Sequence, residues 1–142
     1  MTQMQDDSTI KETPLIHAGF PSPAQDYMGG GIDLNKELVH HPEATFFARV
    51  TGDSMVEADV NEGDVLVIDK SLHAGEGDMA VCFVDGEFTL KFISFNNPDT
   101  GVKEQDGLWL LPANKRFKPI HVSASSDFTV WGLVTYIIKK IK

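Results

Sequence analysis

Asp85-Gly86 constrains this chain more than any other pair of residues. It separates Met79-Ala80-Val81-Cys82-Phe83-Val84 from Glu87-Phe88-Thr89-Leu90-Lys91-Phe92, two β-prone runs of equal length. A two-residue loop of this kind takes positive φ at its centre, and its twist matches that of the strands it joins. The register follows directly. Val84 faces Glu87, Phe83 faces Phe88, Cys82 faces Thr89, Val81 faces Leu90 and Ala80 faces Lys91. Because side chains alternate, Met79, Val81, Phe83, Phe88, Leu90 and Phe92 share one apolar face. Lys91 falls on the other, beside Ala80, Cys82 and Thr89.

Lys91 has no carboxylate opposite it, and Glu87, the nearest acidic residue on its face, is four positions away. A strand lysine is most often solvated. If another element covers that face, desolvation drives the amine towards its neutral form. A neutral lysine can act as a general base, and a serine beside one becomes a nucleophile. The chain offers such a serine in Thr51-Gly52-Asp53-Ser54-Met55, between the apolar runs 45–50 and 65–68. Gly52 permits a tight backbone path and Asp53 favours a turn, so Ser54 is expected on a loop or at a helix start. Taken alone, a serine in that setting is ordinarily a turn or N-cap residue.

Gly52-Asp53-Ser54-Met55, then Gly63-Asp64-Val65-Leu66-Val67-Ile68-Asp69, Gly77-Asp78 and Asp85-Gly86-Glu87-Phe88-Thr89-Leu90-Lys91 follow one another in a telling order. In that order and spacing they resemble the self-cleaving serine peptidase family of LexA, the phage repressors and UmuD, with UmuD-like members nearest. The resemblance covers about residues 15 to 140. It implies a mainly β fold of coiled sheets with a partly open barrel, of the LexA and signal-peptidase kind. It implies Ser54 as nucleophile and Lys91 as base, with an oxyanion hole of backbone N–H groups at Ser54 and Asp53. It places the cut between Ala18 and Gly19, the pair found in LexA and phage repressors where UmuD itself has Cys-Gly. By the same resemblance the protein is a homodimer, stimulated by a RecA–single-stranded DNA filament. Its processed form then serves an UmuC-like Y-family DNA polymerase in error-prone synthesis. No cofactor and no metal are implied.

Composition narrows the alternatives. A net charge of −9 is poorly suited to holding a phosphate backbone, so direct specific DNA binding is not expected and any DNA contact runs through a partner. One cysteine, Cys82, excludes an internal disulfide and fits a reducing cytoplasm; its ordinary role is a small buried hydrophobe. The first ten residues lack the apolar core of a signal peptide, and no apolar stretch approaches a membrane span. The membrane-anchored signal peptidases, which share Ser/Lys chemistry, are therefore disfavoured, and a cytoplasmic location is expected. LexA carries a DNA-binding domain ahead of its cleavage site. Here only 18 residues precede the Ala18-Gly19 bond, which favours the UmuD-like branch over a repressor. A repressor-type dimerisation and self-cleavage regulator without that domain remains an alternative. A non-catalytic polymerase-binding module is another.

Along the chain, residues 1 to about 13 show no apolar periodicity and are expected to be loosely held. Pro21 and Pro23 bias the segment 14–23 towards an extended conformation, and an extended segment with small residues at its centre suits a protease. Gly29-Gly30-Gly31 closes a flexible arm over 1–31, ahead of a peptidase and dimerisation domain over 32–142. A short helix is expected within 32–41, with Asp33 as N-cap and Pro42 as stop. His40-His41 has no further ligand at helical spacing and does not read as a metal site. Strands are expected at 45–50, 65–69, 109–111, 120–122 and 128–138, with a loop over 96–101. The basic end Lys139-Lys140-Ile141-Lys142 reads as a solvated terminus.

Overall fold

The Asp85-Gly86 hairpin forms with the expected register from Met79 opposite Phe92 to Val84 opposite Glu87. Its two turn residues lie at φ 49° and 88°. The computed structural model describes Ile16, Ala18, Gly19 and residues 31–142. The chain divides into two units, Met1–Glu37 and Leu38–Lys142. Most of the arm expected over 1–31, and the extended run 14–23 apart from Ile16, Ala18 and Gly19, lies outside the described residues.

Asp33 caps the helix α1 (Leu34–Leu38), which begins in the first unit and ends on the first residue of the second, accepting at Oδ1 from the N–H groups of Asn35 (3.1 Å) and Lys36 (3.4 Å). The helix is shorter than the 32–41 window. Pro42 starts a separate 3-10 turn over Pro42–Ala44 instead of extending α1.

In the second unit seven strands form one antiparallel sheet: β1 (Thr45–Arg49), β2 (Val65–Asp69), β3 (Met79–Val84), β4 (Glu87–Ser94), β5 (Leu108–Leu111), β6 (Ile120–Val122) and β7 (Phe128–Ile138). Their spatial order is β1-β2-β7-β3-β4-β5-β6, so the fold is mainly β and the sheet stays open, with β1 and β6 at its edges. The last strand is the hub. β7 pairs with β2 along one side and β3 along the other, and bulges twice. One bulge leaves Thr135 between the pairs Val67–Tyr136 and Ile68–Val134; the other leaves Trp131 between Val81–Gly132 and Cys82–Val130. An extra residue on one strand bends it and increases its twist.

Both faces of the β3–β4 hairpin are buried. Val81 joins Met55, Val60, Leu66 and Ile68 in one core, with Met79, Leu90 and Phe92 packed against it. Ala80, Cys82 and Ile93 join Leu110, Val122 and Leu133 in a second core on the opposite side. Lys91, on the strand face that also carries Ala80, Cys82 and Thr89, is 6% exposed, so it is not a solvated lysine. At the hairpin tip the apolar face ends differently. Phe88 is 61% exposed and meets Phe83 and Trp131 edge-on, at 5.1 and 5.5 Å between ring centres.

Candidate active site

Ser54 lies in the turn that precedes a 3-10 turn over Val56–Ala58. The residues around it explain its placement. Met55 and Val60 are buried in the first core and pin the loop from both sides. The Gly52 N–H donates to Glu62 Oε1 at 3.1 Å, closing the path back towards β2. The loop is also tied to the segment after β5: Ala113 N–H donates to the Ser54 carbonyl at 2.8 Å, and Asn114 Nδ2 donates to the Asp53 carbonyl at 2.7 Å. The Asp53 carboxylate itself is 3.8 Å from exposed Arg116.

Lys91 arrives from β4. Its side chain is 6% exposed, and its Nζ donates to Ser54 Oγ at 3.1 Å, Thr89 Oγ1 at 2.7 Å and the Leu90 carbonyl at 3.1 Å. No carboxylate pairs with it among the described residues, so burial pushes its pKa below the ordinary lysine value. Lys139 shows the contrast. Hydrogen-bonded to Asp64 and close to Asp59, it is held above that value. Cys82, across the strand pair from Thr89, is fully buried, and its thiol is pushed up to about 11 by that burial, with the Lys91 charge pulling the other way. It is an inert packing group, as its sequence setting suggests.

Residues 54 and 91 are thus brought together across 37 positions of sequence. A pocket of about 130 Å³ opens beside them, with Ser54 and Thr89 on its wall and Val50, Met55, Val60 and Leu90 as its apolar lining. Ala18 and Gly19 are both exposed. His41 is engaged elsewhere, with its Nδ1 2.5 Å from Asp69 Oδ2.

Sequence reasoning did not find the supporting residues. Thr89 is legible as a neighbour of Lys91 on one strand face, yet nothing in the pattern marks its hydroxyl as a partner of the amine. Asn114 is 61 positions from Asp53 in a Pro-Ala-Asn stretch that reads as an ordinary loop, and carries no local signal at all.

Comparison with known proteins sets this geometry in a family. Residues 11–135 match the family described as Peptidase S24-like. Protein MucA of Salmonella typhimurium is 38% identical over 122 residues, which is 85% of this chain and 77% of MucA. Protein SamA of Salmonella typhimurium (strain LT2) is 36% identical over 130 residues, covering 92% of this chain and 84% of SamA. The LexA repressor of Mycobacterium leprae is 38% identical over 127 residues, which is 89% of this chain but 48% of the repressor.

Proposed function

The chain belongs to the Peptidase S24-like family, and from that premise we propose that it is a self-cleaving serine peptidase that cuts its own Ala18-Gly19 bond. The observation that carries this reading is the desolvated, carboxylate-free amine of Lys91 within 3.1 Å of Ser54 Oγ. Once Lys91 has lost its proton, the hydrogen bond reverses and the Ser54 hydroxyl donates to Nζ. Lys91 then takes that proton as Oγ attacks the Ala18 carbonyl carbon. The oxygen that gains charge needs donors, and the backbone N–H groups of Ser54 and Asp53 stand in this role. Collapse of the tetrahedral intermediate breaks the bond to the Gly19 nitrogen, which receives its proton from Lys91. Water, deprotonated by the same amine, attacks the Ala18 carbonyl carbon; the bond to Ser54 Oγ breaks, Lys91 returns the proton to Oγ, and the Ala18 carboxylate is released. Thr89 and the Leu90 carbonyl hold Nζ in place through the cycle.

The wider role is read in the same way. The protein acts as an UmuD-like dimer in SOS mutagenesis, its cleavage favoured by a RecA–single-stranded DNA filament. The shortened form serves a Y-family polymerase. Support comes from the relatives: this chain spans most of MucA and SamA and about half of the LexA repressor. Activation by a filament is then a population shift towards the state with the segment docked.

Ser54→Ala tests the chemistry. The native chain, incubated at alkaline pH, should yield a product of 142 − 18 = 124 residues beginning at Gly19. The Ser54→Ala chain should fold normally and yield none, because a turn serine contributes little to stability beyond a cap. The same product from the variant would remove Ser54 from the mechanism.

A further inference from the structure

The peptide groups on both sides of Ser54 are bonded by one short stretch after β5, and the Asp53 carbonyl accepts a second, longer bond from Val56 N–H at 3.4 Å. Asn114 Nδ2 donates to the Asp53 carbonyl at 2.7 Å, and Ala113 N–H donates to the Ser54 carbonyl at 2.8 Å. That stretch is itself fixed from several directions. Glu57 N–H donates to the Ala113 carbonyl at 2.7 Å, and the Glu57 carboxylate accepts from Lys115 N–H at 2.9 Å. Asn114 Oδ1 accepts from Arg116 N–H at 2.9 Å. Asn114 is 9% exposed, so both ends of its amide are engaged where water cannot readily replace either partner.

No described peptide bond is cis, so the Asp53 C=O and the Ser54 N–H point to opposite sides of one planar group. An amide that holds the Asp53 oxygen therefore also fixes the direction of the Ser54 N–H. Among the described residues that N–H donates to no backbone carbonyl and no side chain, whereas the neighbouring Gly52 N–H is taken by Glu62. We propose that Asn114 is a positioning residue for the oxyanion donor, aiming the Ser54 N–H at the oxygen that gains charge when Ser54 attacks. This rests on the reading of Ser54 as nucleophile given above. A donor displaced by half an ångström or turned by 10–20° loses much of its effect on a developing charge, which is why its support matters. Asn114 is not among the partners of Lys91 Nζ, so it acts on the donor and not on the base.

The experiment follows unassisted cleavage of the full chain from pH 6 to 11 in the native protein, Asn114→Ala and Asn114→Asp. An aspartate keeps the shape of asparagine but, ionised, cannot donate to the Asp53 oxygen, so it carries the test if the alanine variant fails to fold. The expected result is a high-pH plateau lowered about 10- to 100-fold in the folded variants, with the midpoint of the rise unmoved. A folded variant that cuts within about threefold of native at the plateau, or one whose midpoint moves while its plateau stays, overturns the inference and leaves Ser54 in place. A native chain that yields no product starting at Gly19 overturns both.

Discussion

Ionisable groups in this protein differ more by their neighbours than by their residue types. Lys91 and Lys139 are both lysines, yet one is buried among hydroxyls and apolar carbons and the other is paired with Asp64. Burial lowers the first and the carboxylate raises the second. The same logic gives a stability prediction at His41 and Asp69. Burial alone would raise the Asp69 carboxyl, but hydrogen bonds from Ser71 and His41 outweigh it and bring its pKa down to about 2. The hydrogen bond to Asp69 raises the His41 pKa above 6.5. A raised histidine stabilises the fold below its unfolded value near 6.5, and that contribution is lost as pH climbs through the folded value. A lowered aspartate stabilises the fold above about 3.8, and is lost as pH falls towards 2. The pair therefore contributes most between about pH 4 and 6.5. Urea midpoints measured from pH 5 to 8.5 should fall with rising pH in the native protein. In His41→Gln that slope should flatten, and an unchanged slope would place the titration elsewhere.

Among the elements, β7 has the most to do, since it is shared by β2 and β3. Its Gly132 sits where two strands come close together: a Cβ there would lie 2.6 Å from Ile68 Cγ2 and 3.3 Å from the Asp69 carbonyl. Gly132→Ala should cost about 1–3 kcal/mol and lower the thermal midpoint by several degrees. A variant as stable as native would mean β2 shifts freely against β7. The hairpin and most strands were legible in the sequence because their signals are local. Asp85-Gly86 dictates a turn, and alternation dictates the faces. Lys91 was legible as a lysine with no nearby carboxylate on its face, but its burial was not. Its long-range contact is with the loop that carries Ser54, 37 positions away, whose approach to Lys91 no local pattern reveals. The same holds for Asn114, whose contact with Asp53 spans 61 positions. The short helix was legible too: it forms at Leu34–Leu38, inside the expected 32–41 window, with Asp33 as its cap.

At the scale of the molecule, the bond proposed for cleavage and the groups proposed to cut it belong to different units. Ala18 and Gly19 lie in Met1–Glu37, whereas Ser54 and Lys91 lie in Leu38–Lys142. Cleavage then depends on how often the segment docks as well as on how often Lys91 is neutral. Docking demands small residues at the bond, so Gly19→Glu should reduce cleavage to background, read as loss of the 124-residue product (142 − 18). Cleavage of that variant at the native rate would put the scissile bond elsewhere. The amine sets the pH dependence. In water only about one lysine in two thousand is neutral at pH 7. Burial raises that fraction for Lys91. Alkali should therefore replace an activator in part. The most direct measurement is the rate of unassisted cleavage from pH 6 to 11, in the native chain and in Lys91→Arg, with both shown to be folded by circular dichroism. The native rate should climb through a single ionisation between about pH 8 and 10.5 and then level off. Lys91→Arg should show no rise, because arginine keeps its proton throughout this range. A flat native profile, or a rise that survives in Lys91→Arg, would contradict Lys91 as the base.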